Sequence, residues 1–111
     1  MIRRGDVYLV RLDPVEGSEV GKTRPAVVVQ NDLANRSSPT ITLIPVPSKA
    51  ERVFPFQVRI SAGEGGLERQ SKALCEQIRT VARDRLVQYL GHLPEERLAE
   101  IRTALDRHLW F

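Results

Sequence analysis

The chain has 111 residues, of which 41% are apolar and 28% are charged, a composition typical of an ordinary globular domain. Its length predicts one domain over residues 1–111, and its single cysteine, Cys75, excludes a disulfide framework or a thiolate metal cluster, so we expect a reducing cytoplasm. The formal net charge is +3, and only Lys22, Lys49 and Lys72 among the 17 cations are lysines, an excess of arginine that favours phosphate and nucleic-acid binding.

Apolar and β-branched runs predict six strands. They cover residues 5–12, 25–30, 40–46, 54–60, 71–81 and 88–93. The second is the most distinctive, because its three consecutive valines, Val27 to Val29, favour a buried strand over a helix. Pro25 can begin this strand but should not lie in its middle, and it holds Arg24 in an extended conformation. In the fourth strand, alternation predicts Val58 and Ile60 on one face and Gln57 on the opposite face.

The connections between these strands differ in length and composition. Residues 13–22 carry proline, glycine and serine and are long for a hairpin, and long loops on rigid scaffolds are often functional. Residues 31–39 are rich in turn formers and predict a second connection, and the polar segment 48–53 predicts a loop. Glycines end the fourth strand after residue 60, and a short helical turn is expected over residues 67–69.

One long helix is predicted at the C-terminus. Pro94 suits its first position, and Leu98, Ile101, Leu105 and Leu109 recur at helical spacing. Several short strands followed by one terminal helix predict a mainly β (α+β) fold. The expected architecture is a small, strongly bent antiparallel sheet or barrel with the helix packed against it.

The common catalytic motifs are missing from the sequence. It has no phosphate-binding glycine loop, and His92 and His108 are expected to be surface or boundary residues. The three carboxylates of residues 13–22 lack the pairing typical of metal sites, and Glu76 is expected to be a solvated charge. Cys75 is expected to be a buried small hydrophobic residue. We therefore predict no metal and no cofactor.

Five sequence blocks resemble one known family. They are Gly5-Asp6-Val7-Tyr8, Gly17-Ser18-Glu19 with Lys22-Thr23-Arg24-Pro25-Ala26-Val27-Val28, Asn31-Asp32, Pro55-Phe56-Gln57-Val58, and Glu76-Gln77-Ile78-Arg79-Thr80. In this order and at this spacing they resemble the MazF/PemK toxins, and the likeness runs from Gly5 to about Arg85. The second block resembles the most specific signature of that family.

The resemblance implies a fold and a function. The fold would be the SH3-like barrel shared by CcdB and MazF toxins, assembled as a homodimer. The function would be that of a type II toxin, a sequence-specific endoribonuclease (an mRNA interferase) that cleaves single-stranded RNA without metal by attack of the ribose 2′-OH on phosphorus. A small MazE-like antitoxin would neutralise it in the cytoplasm. We expect no membrane partner, because no apolar run has the length of a membrane span and no signal peptide is recognisable.

The resemblance also implies catalytic residues. Arg24 corresponds to the family's catalytic arginine, and the family's catalytic threonine falls at Pro47-Ser48, where Ser48 supplies the hydroxyl. Because an arginine has a pKa above ~12, Arg24 is interpreted first as an electrostatic stabiliser of the phosphorane and second as an acid or base. Polar side chains in the nearby loops are expected to bind RNA. They are Glu19, Lys22, Thr23, Asn31, Asn35, Lys49, Arg52 and Gln77.

Two other functions remain open at this point. The first is a non-catalytic gyrase poison of the related CcdB type, which would act through the apolar tail Leu109-Trp110-Phe111. The cations of Lys22-Thr23-Arg24-Pro25 argue against it, since poisoning needs no cation there. The second is a catalytically dead barrel that binds RNA or antitoxin, which the change from threonine to Ser48 would allow.

Overall fold

The computed structural model describes residues 1–49 and 51–110; Ala50 of the predicted 48–53 loop and Phe111 of the predicted tail lie outside this range. The described chain contains seven strands and two helices. They are β1 (Asp6–Arg11), β2 (Thr23–Val28), α1 (Asp32–Ser37), β3 (Thr40–Pro45), β4 (Gln57–Ile60), β5 (Ser71–Leu74), β6 (Arg79–Ala82), β7 (Leu86–His92) and α2 (Glu95–Leu109). Short 3₁₀ turns cover Glu64–Gly66, Cys75–Gln77 and Arg83–Arg85.

The strands form two antiparallel sheets. Five lie in the order β6-β3-β2-β1-β7, and β4 pairs with β5 in a second, smaller sheet. The predicted mainly antiparallel β fold with a C-terminal helix is therefore confirmed. Within the described chain, however, β6 and β7 remain the edges of the large sheet, so the architecture is an open, bent sheet rather than a closed barrel.

The central strand β2 is buried on both faces, as its valines predict. Val27 lies opposite Val7 of β1 and Ile44 of β3, in a core that also contains Ile60 of β4 and Ile101 of α2. The other face carries a smaller core. It consists of Val10, Leu12, Ala26, Leu43 and Val81. Burial on both faces explains why the second half of β2, Ala26 to Val28, is apolar at every position.

Helix α2 packs on the larger core through the predicted stripe. Ile101 is buried and Leu98 and Leu105 are partly buried against that core, whereas Leu109 is exposed at the end of the helix. Pro94 lies just before the first helical residue rather than at it, with an extended backbone conformation. In the part of the chain that the structure describes, no helix is long and apolar enough to cross a membrane.

Residues 31–39 connect β2 to β3 as predicted, but they contain a helix, α1, that was not predicted from the sequence. The side-chain oxygen of Asn31 accepts a hydrogen bond from the Ala34 N–H at 2.8 Å, which caps the helix. At the other end, the guanidinium of Arg83 donates to the carbonyl oxygens of Asn35 and Ser38. The helix is thus held by a local cap and by a side chain distant in sequence.

The predicted fifth strand, residues 71–81, is broken at a corner. The 3₁₀ turn Cys75–Gln77 separates β5, which belongs to the small sheet, from β6, which belongs to the large one. The predicted fourth strand also starts later, at Gln57, and the Gln57 side chain, predicted on the face opposite Val58 and Ile60, is buried as well. The helical turn expected over residues 67–69 lies instead at Glu64–Gly66.

Candidate active site

Arg24 is placed by the pairing of the three central strands. It lies opposite Val10 of β1, and the next residue, Pro25, accepts a hydrogen bond through its carbonyl from the Val46 N–H at 2.9 Å. This bond continues the β2–β3 pairing past the end of β3, so Pro47 and Ser48 run alongside the start of β2. The structure thereby places Arg24 and Ser48 in neighbouring segments, although they are 24 residues apart in the chain.

Pro25 lies inside β2, contrary to the expectation that it would begin the strand. It is the third residue of β2 and pairs with Leu9 of β1. In an antiparallel ladder the N–H and C=O of one residue point to the same neighbour. The Pro25 carbonyl points to the chain just after β3, so the missing N–H also faces that side and removes no hydrogen bond to β1.

The Arg24 side chain is exposed and carries little internal bonding. Its guanidinium makes one long hydrogen bond, 3.4 Å to the carbonyl of the adjacent Thr23. Within residues 1–49 and 51–110, no carboxylate forms a salt bridge with it. A planar cation with free donors is suited to grip two oxygens of a phosphate.

Arg24 lies at the junction of two surface clefts, together with Pro47 and Lys49. The first cleft, about 590 Å³ and named here the loop cleft, is bounded by the connection 13–22 and by the corner at Cys75–Gln77. The second, about 520 Å³ and named here the hydroxyl cleft, contains Thr23, Ser48 and Ser71. One extended ligand could therefore contact Arg24 from both sides.

The loop cleft is rich in cations. Lys22, Arg24, Lys49 and Lys72 line it, and none of them forms a salt bridge within the described residues. The cleft also contains the carboxylates Asp13 and Glu76. The excess positive charge favours an anionic ligand that also carries hydrogen-bonding groups.

Gln77 fixes the connection 13–22 over this cleft. Its side-chain oxygen accepts from the Val20 N–H at 2.8 Å, and its amide nitrogen donates to the Ser18 carbonyl at 3.2 Å. At the base of the connection, the Leu12 N–H donates to the Lys22 carbonyl at 2.7 Å, and Arg85 donates to the Asp13 carbonyl. The long connection is therefore tied at both ends and near its middle.

Glu76 is not the solvated charge that the sequence predicted. Its Oε2 accepts a hydrogen bond of 2.7 Å from the buried amide of Gln57, whose own oxygen accepts from the Phe54 N–H at 3.2 Å. The other carboxylate oxygen, Oε1, is buried without a partner in the described chain. The corner thus carries a carboxylate with unused acceptor capacity beside the cations of the loop cleft.

Cys75, next to Glu76, is chemically inert in the folded state. The residue is fully buried, and burial, followed by the nearby Glu76 carboxylate, raises the pKa of its thiol to about 12. The prediction of a buried small hydrophobic residue is confirmed. A thiol with this pKa is no nucleophile near neutral pH.

The structure brings together most of the predicted site residues. Those lining one or both clefts are Lys22, Thr23, Arg24, Ser48, Lys49 and Gln77. Arg52 lies beside the loop cleft, where its carbonyl accepts a hydrogen bond from Lys72 at 2.5 Å. Glu19 is exposed in the connection 13–22, where its carboxylate accepts a hydrogen bond of 2.6 Å from the Glu16 N–H.

Two predicted RNA-binding residues lie elsewhere. Asn31 and Asn35 belong to the cap and body of α1, which follows the opposite end of β2 from Arg24. The Asn35 side chain is buried and hydrogen-bonded to Gln30 and Asp32, so it is not accessible to RNA. The oxygen of Asn31 is occupied by the helix cap.

Sequence reasoning missed three residues of the loop cleft, Gln57, Lys72 and Glu76. Lys72 lies opposite Arg59 in the β4–β5 ladder, and Gln57 lies opposite Leu74. Their convergence depends on that register and on the break at Cys75–Gln77. The sequence did offer a signal for two of them, because Gln57 and Glu76 lie in blocks that resemble the family, whereas Lys72 lies in none.

The fold and the site define a small antiparallel β protein whose basic clefts meet at an exposed arginine. The model of the family described as "PemK-like, MazF-like toxin of type II toxin-antitoxin system" matches residues 3–109. The chain therefore belongs to this family.

Curated proteins and solved structures agree with this assignment. Over 98% of this chain and 97% of the relative, the sequence is 45% identical to endoribonuclease MazF9 of Mycobacterium tuberculosis. It is 42% identical to endoribonuclease EndoA of Bacillus subtilis, over 96% of this chain and 92% of the relative. The crystal structure of MazF from Deinococcus radiodurans superimposes with a TM-score of 0.85 at 28% identity, covering 99% of this chain and 97% of that one.

Proposed function

We propose that this protein is the toxin of a type II toxin–antitoxin system and that it acts as an endoribonuclease on single-stranded RNA. Relatives that are 40–45% identical over nearly the whole chain are named endoribonucleases. The observation that carries the proposal for this chain is the position of Arg24, an exposed guanidinium without a carboxylate partner in the described residues, at the meeting point of two clefts.

The cleavage step uses the ribose of the RNA as the nucleophile. The 2′-oxygen loses its proton and forms a bond to the adjacent phosphorus, and the bond from phosphorus to the 5′-oxygen of the next nucleotide breaks. That 5′-oxygen takes up a proton. The products are a 2′,3′-cyclic phosphate and a 5′-hydroxyl, and no water or metal ion is consumed.

Arg24 stabilises the charge that develops on phosphorus in this step. Its guanidinium can donate to two phosphate oxygens at once, and Lys49, which lines both clefts, adds a second cation. Ser48 supplies a hydroxyl from the hydroxyl cleft that can donate to a phosphate oxygen or relay a proton. These cations take the role that a metal ion has in many other phosphoryl-transfer sites, so we propose metal-independent cleavage.

The bases of the RNA are read by the loops around the clefts. Lys22 and Thr23 are next to Arg24, Glu19 and Arg52 lie at the margins of the loop cleft, and Gln77 acts through the connection 13–22, which it holds in place. Single-stranded RNA presents splayed bases whose edges can bond to such side chains. We propose that these contacts make cleavage sequence-specific.

We further propose a small antitoxin partner, a homodimer and a cytoplasmic location. A MazE–MazF complex is known from Deinococcus radiodurans, and this chain superimposes on it with a TM-score of 0.78 at 28% identity. Family membership favours the nuclease over the gyrase poison and the catalytically dead barrel.

The proposed function is tested by incubating the purified protein with a long unstructured RNA in excess EDTA and mapping the new ends. We expect cuts at one short motif, with cyclic phosphate at the 3′ ends and hydroxyl at the 5′ ends. Intact RNA from folded, antitoxin-free protein would overturn the proposal, and ends with a 5′-phosphate would overturn the mechanism.

A further inference from the structure

Two phenylalanine rings and one guanidinium lie close together on residues 52–56, the segment just before β4. The rings of Phe54 and Phe56 are stacked, with 5.5 Å between their centroids and 2° between their planes. The guanidinium of Arg52 lies over the Phe54 ring at 4.9 Å, and the ammonium of Lys72 lies 6.0 Å from the same ring. We refer to Arg52, Phe54 and Phe56 as the aromatic stack.

The aromatic stack is fixed in place by hydrogen bonds from three directions. The Phe54 N–H donates to the buried Gln57 side chain, and Lys72 of β5 donates to the Arg52 carbonyl. Arg107 of α2 donates to the Pro55 carbonyl at 3.1 Å. Because the segment is already ordered, a ligand that stacks on it would pay little conformational entropy.

The aromatic stack is exposed and adjoins the loop cleft. Phe54 is 38% exposed, Arg52 is also exposed, and Phe56 is half-buried. Lys72 and Gln57, which hold the stack, also line the loop cleft together with Arg24. In the described residues neither Arg52 nor Lys72 forms a salt bridge, so their charges are available to an anionic ligand.

We propose that the aromatic stack binds one unpaired nucleobase of the RNA, a few nucleotides from the one held at Arg24. The base stacks on the outer face of the Arg52 guanidinium, which the Phe54 ring supports from behind, while Lys72 contacts an adjacent phosphate. Aromatic and guanidinium planes accept any base face, and cations beside them bind the backbone. This inference rests on the proposed function, since it concerns a second contact with the same RNA.

The test is an abasic scan of a bound oligonucleotide. The probe is a short RNA that contains the mapped cleavage motif, with 2′-deoxyribose at the scissile nucleotide to block cutting and with one base removed at a time. For the unaltered protein, we expect removal of the stacked base to weaken binding about tenfold, in the range measured for single base–aromatic stacks.

The same scan on variants assigns that loss to the aromatic stack. Phe54→Leu should make the sensitive position indifferent to base removal, to within about twofold, while Phe54→Trp should keep the sensitivity. Tyr89→Leu is the matched control, because Tyr89 is an exposed aromatic of β7 that lines neither cleft. Thermal melting of each variant checks that the fold is intact.

The outcomes separate this inference from the proposed function. If the unaltered protein cuts RNA in EDTA but Phe54→Leu gives the same abasic profile, the inference fails and the nuclease remains. If the protein neither cuts nor binds the RNA, both fail. If Phe54→Leu melts far below the other variants, Arg52→Gln replaces it, and an unchanged profile for Arg52→Gln then overturns the inference.

Discussion

The side-chain oxygen of Gln77 accepts a hydrogen bond of 2.8 Å from the backbone N–H of Val20, across 57 residues of sequence. The amide nitrogen of the same side chain donates to the Ser18 carbonyl. One residue at the corner between the two sheets therefore positions the connection 13–22, which forms one wall of the loop cleft. The shape of the cleft depends on this contact.

Gln77→Ala should loosen that wall. We expect kcat/KM for RNA cleavage to fall roughly ten- to a hundredfold, because small displacements of positioning groups are costly. The unfolding free energy should fall by only about 1 kcal/mol per lost hydrogen bond. Hydrogen exchange of the amides in residues 14–21 is the readout that separates positioning from global instability, since it should accelerate selectively. Gln88→Ala, at an exposed glutamine of β7, is the control. Unaltered exchange in the connection would contradict this role.

The hydroxyl of Ser48 is expected to take part in cleavage. Ser48→Ala should lower kcat on the order of a hundredfold, as for the loss of one hydrogen-bond donor to a developing charge, and Ser48→Thr should retain activity. Because Ser48 is exposed, neither change should alter the melting temperature. Ser37→Ala in α1 serves as the control at a distant exposed serine. A fully active Ser48→Ala variant would show that the Ser48 hydroxyl takes no part in cleavage.

The thiol of Cys75 should react with a labelling reagent only when the protein is unfolded. Its thiol pKa is raised to about 12 in the folded state, so at pH 8 it stays protonated and buried. The raised pKa contributes stability that is present below the unfolded thiol pKa and is lost as pH rises between about 9 and 12. We expect no thiol labelling of the native protein at pH 8 and stoichiometric labelling in denaturant. Rapid labelling of the native protein would show that the corner is open.

Gly66 is expected to be the least replaceable of the glycines with positive φ. Its φ is +75°, and an added Cβ would lie 2.0 Å from the Leu90 carbonyl oxygen of β7. Gly66→Ala should therefore cost about 3 kcal/mol or more in unfolding free energy, measured by urea titration. Gly17→Ala is the comparison, because Gly17 has φ +56° with no atom within 4 Å of the added Cβ. It should cost only the left-handed strain, about 1 kcal/mol. Equal losses would refute the clash.

The sequence predicts those elements whose own residues carry a clear apolar pattern. Val27 to Val29 predict β2 because the half of the strand that is buried on both faces, Ala26 to Val28, is apolar at every position. The six residues of α1 carry no such pattern, since Leu33 is exposed and the helix depends on the Asn31 cap and on Arg83. A helix that depends on a side chain 48 residues away cannot be predicted from its own residues.

Some residues of the candidate site could likewise be predicted from the sequence, and others could not. Arg24 is found from a sequence block that contains the Arg-Pro pair, and Ser48 from its spacing before the block Pro55-Phe56-Gln57-Val58. Glu76 also lies in a sequence block, but its position beside Lys72 in the loop cleft depends on the β4–β5 register and the corner at Cys75–Gln77. Buried apolar residues lie on both sides of that corner, at Ala73 and Leu74 before it and at Val81 after it, so composition alone does not mark the break.

The measurement that tests the central claim most directly compares three arginine variants in the EDTA cleavage assay. Arg24→Ala should abolish cleavage, and Arg24→Lys should retain only a small part of the rate, because an ammonium keeps the charge without the two-pronged grip. Arg36→Ala, at an exposed arginine of α1, should cut as the unaltered protein does. Equal melting temperatures would establish that all three are folded. Cleavage by Arg24→Ala at the unaltered rate and motif would contradict the assignment of this site as the centre of an RNA-cleaving toxin.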